Sequence, residues 1–515
     1  MKKTNLEKTH NLRKMLCAVV FVALLALTMV LPIYANNIEV NSVTTIPSGN
    51  YAYVQFNLSW ENSWRTNDLN GDGVTNWDAA WVFVKYQKTD ETTWNHAYLN
   101  TTEGNHNIPD VNYTCSVGET GGNGMGVFIY RDTVGSGEVS LTGVQLRWDY
   151  SDNGLSSTDT VTVKVFAIGM VHIPQGDFYV GDGHSSSRFE GTDNNPVQIT
   201  NGETTVRMDG TSPNAHGDVT LQSGIKVDGD GGICTTGTGD IDNADYPTGY
   251  TAFYCMKYEI SQGQYADFLN TLTATQDGTR YYSTTSNRYT IGGSQGSRSA
   301  SVPDRACNYL SWMDGAAYSD WAGLRPMTEL EFEKICRGPE NARSGEYAWG
   351  NANIANFAYT LSNDGQPNAT VSNAASDPTG NASYPTTDGS INGPLRCGIF
   401  ATSGSTRVEA GASYYGVMEM SGNLYERAVT VGNSTGRAFE GTHGDGVLST
   451  NGNAMNSDWP GYSGGEVTGA TGAAFRGGVW SNVVSSLRVS NRSATAGPGA
   501  GRFSTSGFCC VRSVP

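Results

Sequence analysis

Leu324-Arg325-Pro326-Met327-Thr328-Glu329-Leu330-Glu331-Phe332-Glu333 announces a helix in its own chemistry. Thr328 and Glu331 stand three apart, the spacing of a capping box. The hydroxyl accepts from the backbone N–H three residues on, and the carboxylate reaches back to the N–H of the cap. Leu330, Phe332 and Ile335 supply apolar contacts. Just before, Asn308 to Trp321 reads as another helix, ending at Ala322-Gly323. Further back, Ser261 caps a short one, with Tyr265, Phe268 and Leu269 at i, i+3, i+4. Its face carries no His, thiol or acid, which leaves it a core role.

Two fixed-looking ends bracket the tail: Phe475-Arg476-Gly477-Gly478-Val479-Trp480 and Gly507-Phe508-Cys509-Cys510-Val511-Arg512. From Ser481 to Cys510 the chain uses no Lys, Glu, Gln, Met or second Trp. Leu487-Arg488-Val489-Ser490 alternates apolar and polar residues and predicts a half-buried strand. Around it, Ser481 to Ser486 and Ser493 to Gly501 are mostly small residues with no reason of their own to be buried.

At the other end, Lys2, Lys3, Lys8, Arg13 and Lys14 precede an apolar run from Leu16 to Pro32, and Ala35 offers a small residue for cleavage. Residues 1–35 therefore predict a signal peptide and a secreted or cell-surface protein, with an uncleaved anchor as the alternative. The formal charge of −17 falls to about −21 without the basic leader. Such a chain should not hold nucleic acid or an anionic membrane by general electrostatics, so membrane association is expected only through export or an uncleaved leader. The 64 glycines and 16% charged residues favour turns and long loops over helices. Eight cysteines follow the leader and can pair outside the cell. No Cys-x-x-Cys, His-Glu-x-x-His or phosphate-loop pattern is present, and the seven histidines are scattered.

Residues 36–168 carry β-rich runs, Tyr51 to Trp60, Ala80 to Tyr86, Met125 to Tyr130, Val144 to Tyr150 and Val161 to Ala167, with turn residues between them. They predict an all-β sandwich. Within them, Asp68-Leu69-Asn70-Gly71-Asp72-Gly73-Val74-Thr75-Asn76-Trp77-Asp78 sets oxygen donors at alternate positions before a glycine turn. That suits a hard cation such as calcium, with Asp68, Asn70, Asp72 and Asp78 as ligands. The twelfth loop position is Ala79, and Asp78 comes one residue early, so a solvated Asx-rich turn is the competing reading.

Residues 169–515 resemble the formylglycine-generating enzyme (sulfatase-modifying factor) family. Met170 to Phe178 has the spacing of its first strand, and Tyr258-Glu259-Ile260-Ser261 that of its first helix start. Asn308 to Glu333 follows its Asn-x-x-Trp, Trp-x-Gly-x-Arg-x-Pro-Thr-Glu pattern, and Tyr347-Ala348-Trp349-Gly350 its Tyr-Pro-Trp-Gly. Gly416 to Arg427 follows its Gly-Asn-Val-Trp-Glu-Trp passage, with Tyr425 and Arg427 replacing both tryptophans. A Gly/Asp/Thr-rich stretch near 182–248 reads as an insertion. The resemblance implies a loop-rich C-type-lectin-like domain after the sandwich, α+β in class, and a structural calcium at Asn423 and Glu426. Family enzymes place two cysteines shortly after Arg-Gly-Gly-x-Trp, where they bind copper and carry out the oxidation. Ser481 to Ser486 contains neither. A hydroxyl or an alkyl chain cannot stand in for a thiolate, so neither copper nor formylglycine-generating activity is expected.

The tail is also similar to the variable region of diversity-generating retroelement targets, whose lectin-like domain displays a hypermutated loop. An AAC codon randomised at its adenines cannot encode Lys, Glu, Gln, Met or Trp, the types missing after Trp480. This implies a variable region over 479–510 that binds a protein or glycan ligand at a cell or phage surface. Val479, Ser481, Val483, Val484, Ser485, Ser486, Ser493, Ala494, Thr495, Ala496, Phe503, Ser504 and Thr505 should then face solvent together. Trp480, Leu487 and Phe508 should be buried, with Arg488 and Arg492 bonded to nearby carbonyls or acids. A displaced oxidase and a purely structural surface domain are the other classes.

Overall fold

Period-two burial organises the N-terminal half of this computed structural model. It describes residues 38–183, 188–190, 195–201, 204–208, 218–220, 225–229, 243, 245–494 and 499–515. The leader and most of the insertion lie outside these residues. Strand β2 (Tyr51–Leu69) alternates strictly over its first half, sending Val54, Phe56, Leu58 and Trp60 inward. It pairs with β1 (Glu39–Ser48) on one edge and β7 (Gly135–Trp148) on the other. A second layer is built on β3 (Val74–Lys88), which pairs with β8 (Val161–Ile173) along one edge. The other edge of β3 meets β4 (Asn95–His96) and β6 (Asn123–Arg131), and β6 continues to β5 (Tyr113–Thr120). Inward residues of β2 and β7 meet Ala80, Val82, Val84, Val127 and Ile129 in one hydrophobic cluster, so the two layers pack face to face.

The opposite face of β3 does not reach solvent. Ala79, Trp81 and Phe83 enter the core of the C-terminal half, which is why this strand reads as an unbroken apolar run. Trp81 lies flat across two glycines: a Cβ at Gly126 would come within 2.6 Å of its ring. Its indole N–H donates to the Ala322 carbonyl at 2.8 Å.

Strand β8 crosses residue 168 without a break, and its end pairs with β9 (Phe253–Met256). A two-residue strand, β10 (Arg325–Pro326), forms the far edge of the same sheet. Between β9 and β10 lies the last strand, Cys510–Ser513, so the C-terminus closes an eleven-stranded sheet. A separate ladder joins β11 (Glu426–Val429) to β12 (Ala473–Arg476), which makes Cys510–Ser513 β13. The described part of the insertion forms a four-stranded sheet from 189–190, 204–208, 218–220 and 225–229.

Six α-helices are present among the described residues: α1 (Gln262–Leu269), α2 (Ala274–Arg280), α3 (Trp312–Trp321), α4 (Glu329–Arg337), α5 (Pro385–Asp388) and α6 (Ser434–Arg437). The chain is thus α+β with a β-rich N-terminal region. The box at Thr328 forms as its spacing demands and Ser261 caps α1 as expected, with Gln264 completing a box there; Thr273 and Ser311 add two more. Among the described residues no helix is long and apolar enough to cross a membrane. One expectation fails: Leu487 to Ser490 is not a strand. Val484–Leu487 is a 3-10 turn, and Leu487 and Val489 are buried because their backbone is pinned elsewhere. The Val489 N–H donates to the Glu346 carbonyl, and its own carbonyl accepts from Arg476.

Candidate binding surface of the C-terminal tail

Helix α4 presents Glu329 and Glu333 one turn apart on one face. Both are fully buried, and each binds guanidinium groups from the tail or from its own helix. Arg476 reaches Glu329 at 3.0 Å and Glu333 at 2.6 Å. Arg492 forks onto Glu329 at 2.7 and 2.8 Å. Arg337 joins Glu333 at 3.1 Å, Glu346 at 2.5 Å and the Ser490 hydroxyl at 2.9 Å. Burial alone would raise the Glu329 pKa, but Arg492 and Arg476 outweigh it and hold the carboxyl below its ordinary value. The two glycines after Arg476 are required by close approach. A Cβ at Gly478 would sit 2.7 Å from Leu487 and 2.9 Å from Ser486.

The far side of the tail is held in the same way. Arg502 forks onto Asp314 of α3, both contacts at 2.7 Å, and Arg280 reaches the same carboxylate at 3.1 Å. Arg427, one of the departures from the family pattern, donates to the carbonyls of Gly499 and Gly501 at 3.1 Å each. It also donates to the Leu310 carbonyl at 3.2 Å. Phe508 is buried against Trp312 and over Gly315, where a Cβ would come within 1.8 Å of its ring.

Between these anchors the chain reaches the surface. Ser481, Val483, Ser493 and Phe503 are exposed, with Val483 at 68% and Phe503 at 46%. Val484, Ser485, Ser486, Ala494, Ser504 and Thr505 are half-buried. The segments around 481 and 504 come together: the Trp480 indole donates to the Ser504 carbonyl at 3.3 Å, and the Tyr425 N–H to the Thr505 carbonyl at 2.9 Å. Val484 packs instead with Leu487 against Tyr347, Trp349 and Tyr384. Thr495 and Ala496 lie outside the described residues. Two expectations are corrected. Val479 is fully buried, because Arg476 and the two close-packed glycines carry it inward. Trp480 is half-buried rather than buried, its ring covering the Ala306–Leu424 cluster from outside. Leu487 and Phe508 are buried as expected, Arg492 binds an acid, and Arg488 lies beside Tyr347.

The acidic loop lies at the tip of the β2–β3 hairpin. There Asp68 accepts from the Gly73 N–H at 2.7 Å and Asp72 from Val74 at 3.1 Å, with Asn70 at a φ of 56°. The Asp72–Val74 bond is that of an Asx turn, whereas the Asp68–Gly73 bond closes the loop across five residues. Asp78 does not join them, which corrects its assignment to this loop. It is buried in β3, accepts from Trp60, Ser63 and the Trp64 N–H, and pairs with Lys257 at 3.5 Å.

Asn423 is engaged at both ends of its amide. Its carbonyl accepts from Leu395 N–H at 2.8 Å, and its amide donates to Glu259 at 2.5 Å. Glu426 differs: both of its oxygens are buried without a hydrogen-bond partner, as is one oxygen of Glu419. Burial pushes the carboxyls of Glu419 and Glu426 up to about 8, the Glu419 charge adding to the rise at Glu426. Glu259 is raised well above its ordinary value by burial, then by Glu426 and Glu419. Among the described residues no three His, Cys, Asp or Glu side chains are grouped closely enough to hold a metal. Two carboxylates with orphan oxygens therefore remain, a hard-oxygen donor pair that backbone carbonyls would have to complete. Sequence reading missed Glu419, although it stands four before Asn423 in the same motif.

A family model for the sulfatase-modifying factor enzyme 1-like domain matches residues 157–514. Hercynine oxygenase from Mycolicibacterium thermoresistibile is 39% identical over 51 residues, 10% of this chain and 11% of that protein. The formylglycine-generating enzyme of Bos taurus is 37% identical over 73 residues, 12% of this chain and 19% of that one. The matches thus span less than a fifth of the length of these relatives. Treponema denticola variable protein 1, a solved structure, aligns over 68% of this chain and 96% of its own at 11% identity and a TM-score of 0.29. The family model covers more than half of the sequence, and the chain belongs to the sulfatase-modifying factor enzyme 1-like domain family.

Proposed function

We propose that this is an exported binding protein that displays a variable C-terminal surface on a C-type-lectin-like scaffold, as a diversity-generating retroelement target. One observation carries the reading: frame and display are separate residues. Arg476, Arg492, Arg502 and Arg427 are bonded to acids or carbonyls, whereas Ser481, Val483 and Phe503 reach solvent. Val483 and Phe503 expose apolar surface on a tail without Lys, Asp or Glu, as a contact with a protein or glycan surface would use. The rigid anchors lower the ordering cost of binding. A formylglycine-generating oxidase is the alternative that family membership suggests. Against it, Ser481 to Ser486 lacks a thiol, and Cys509 and Cys510 are fully buried with raised thiol pKa values. A structural calcium held by Glu426 and Glu419 fits their orphan oxygens, and no copper is proposed.

The test is to sequence the tail codons from many isolates of one lineage. Substitutions should gather at 481, 483, 493 and 503–505 and spare Arg476, Leu487, Arg492 and Phe508. Identical tails throughout, or changes falling equally on frame and surface, would overturn the display reading.

A further inference from the structure

Seven cysteines lie among the described residues, all buried and all unpaired as thiols. Five face something other than sulfur or have no sulfur contact. Cys510 meets the Ser319 hydroxyl at 3.2 Å, Cys397 the Glu259 carbonyl at 3.6 Å, and Cys307 the Asn308 carbonyl at 3.7 Å. Cys255 and Cys509 differ. Their Sγ atoms are 3.6 Å apart, although 254 positions separate them in the chain. The strands that carry them explain the meeting. Cys255 lies in β9 opposite Val511 of β13, and Cys509 immediately precedes β13. Strand alternation returns Cys509 to the face of Val511, one diagonal step from Cys255.

We infer that Cys255 and Cys509 form a disulfide when the chain folds in an oxidising medium, fastening the end of the tail to the central strand β9. An S–S bond is about 2.05 Å long, so the sulfurs must close by roughly 1.5 Å, a distance that rotation of the two side chains can supply. The reaction is a pair of thiol–disulfide exchanges with a low-molecular-weight disulfide such as oxidised glutathione. One cysteine thiolate attacks that disulfide, forming a mixed disulfide and expelling one glutathione thiolate. The second cysteine then attacks the mixed disulfide and expels the other. Two protons and two electrons leave the cysteines, and the oxidant departs as two thiols.

Timing follows from burial. Both side chains are shielded from water in the folded protein, Cys255 at 0% and Cys509 at 1% exposure. Burial, then the neighbouring Cys255 thiol and the Glu426 charge, raise the Cys509 pKa well above the usual thiol range. Few thiolates form there once folding is complete, so the bond closes while the strands assemble and afterwards lies beyond the reach of reductants. Closure would fix the downstream end of the displayed segment covalently, where the upstream end is fixed by the Arg476 ion pairs. The inference stands on the sheet register and the sulfur contact, independently of what the tail binds.

The experiment refolds the full chain with a mixture of reduced and oxidised glutathione, denatures it, alkylates it with iodoacetamide and weighs it. Two fewer carbamidomethyl groups are expected than in the same sample reduced with dithiothreitol first. Proteolysis should yield one cross-linked pair joining the Cys255 peptide to the Cys509–Cys510 peptide. Cys510→Ser should leave that pair intact and Cys509→Ser should abolish it. Equal alkylation with and without reduction, or a cross-link that survives Cys509→Ser, overturns the assignment. If a variant fails to fold, the alkylation count on the unaltered chain decides alone.

Discussion

Replacing Glu329 by Gln keeps the shape of the side chain and removes its charge from the centre of the tail's frame. The carboxylate accepts five hydrogen bonds: one from Arg476 at 3.0 Å, two from Arg492 at 2.7 and 2.8 Å, one from Thr430 at 2.8 Å and one from the Val431 N–H at 2.9 Å. In Glu329→Gln an amide N–H₂ must face guanidinium donors, and two buried cations share one charge fewer. Removing a partner from a buried ion pair costs about 3–5 kcal/mol. Arg476 keeps Glu333, which places the expected loss near the lower end, about 3 kcal/mol. Unfolding entropy of about 2.1 cal/mol/K per residue over a domain of roughly 360 residues turns that into a fall of about 4 °C in Tm. Differential scanning calorimetry at neutral pH measures it. In the double variant with Arg492→Met the losses should add to less than their sum, because the second change removes a cation already stranded. The pH dependence has a definite sign. A carboxyl held below its ordinary value contributes stability above that value and loses it as pH falls through its folded pKa, so parent and variant should converge in acid. A variant that melts within about 1 °C of the parent at neutral pH would show that this network carries none of the assigned load.

Surface and core positions of the tail should separate cleanly. Val483→Ser and Phe503→Ser should change stability by no more than about 0.5 kcal/mol, whereas Phe508→Ala should cost about 3–5 kcal/mol by urea unfolding. Equal costs in the two groups would refute the separation. Gly315→Ala should fail to fold or melt well below the parent, since its methyl would lie 1.8 Å from the Phe508 ring; a normal melting curve would contradict that contact. Glu419 and Glu426 have folded pKa values near 8, so the metal-free protein should lose stability as pH rises from the ordinary glutamate range to about 8 and level off above it. Calcium should raise Tm most at the alkaline end, and Glu426→Gln should remove the calcium effect and lessen the alkaline loss, leaving the part that Glu419 contributes; a melting curve indifferent to calcium and chelator across that range would exclude the site. Purified protein should take up no stoichiometric copper(I) and convert no sulfatase-motif cysteine to formylglycine, and turnover of such a peptide seen by mass spectrometry would restore the oxidase reading.

What could be read from the sequence was what short-range chemistry decides. The cap at Ser261 needs only a hydroxyl and the box at Thr328 only a polar side chain three residues on, so local spacing sufficed. Asp78 was misplaced because its partners are remote: Trp60 and Ser63 lie on the preceding strand and Lys257 beyond the whole N-terminal half. The motif pointed to Asn423 as a metal ligand, yet its amide bonds Glu259 and the Leu395 N–H, far away in sequence, and the orphan oxygens nearby belong to Glu426 and Glu419. The tail shows the same division. Its small-residue vocabulary suggested a surface segment, but which of its residues turn outward is set by distant acids. Glu329 and Glu333 draw Arg476 and Arg492 inward, and Val479 goes with them. Asp314 and the Gly499 and Gly501 carbonyls fix the other side through Arg502 and Arg427. These anchors are long side chains bonded to fixed acids and backbone, so the tail is held by four arginines together with the buried Leu487, Val489 and Phe508, rather than by its exposed residues. Substitutions at the exposed Ser481, Val483, Ser493 and Phe503 therefore leave the frame intact, a tolerance that the proposed variable surface would require.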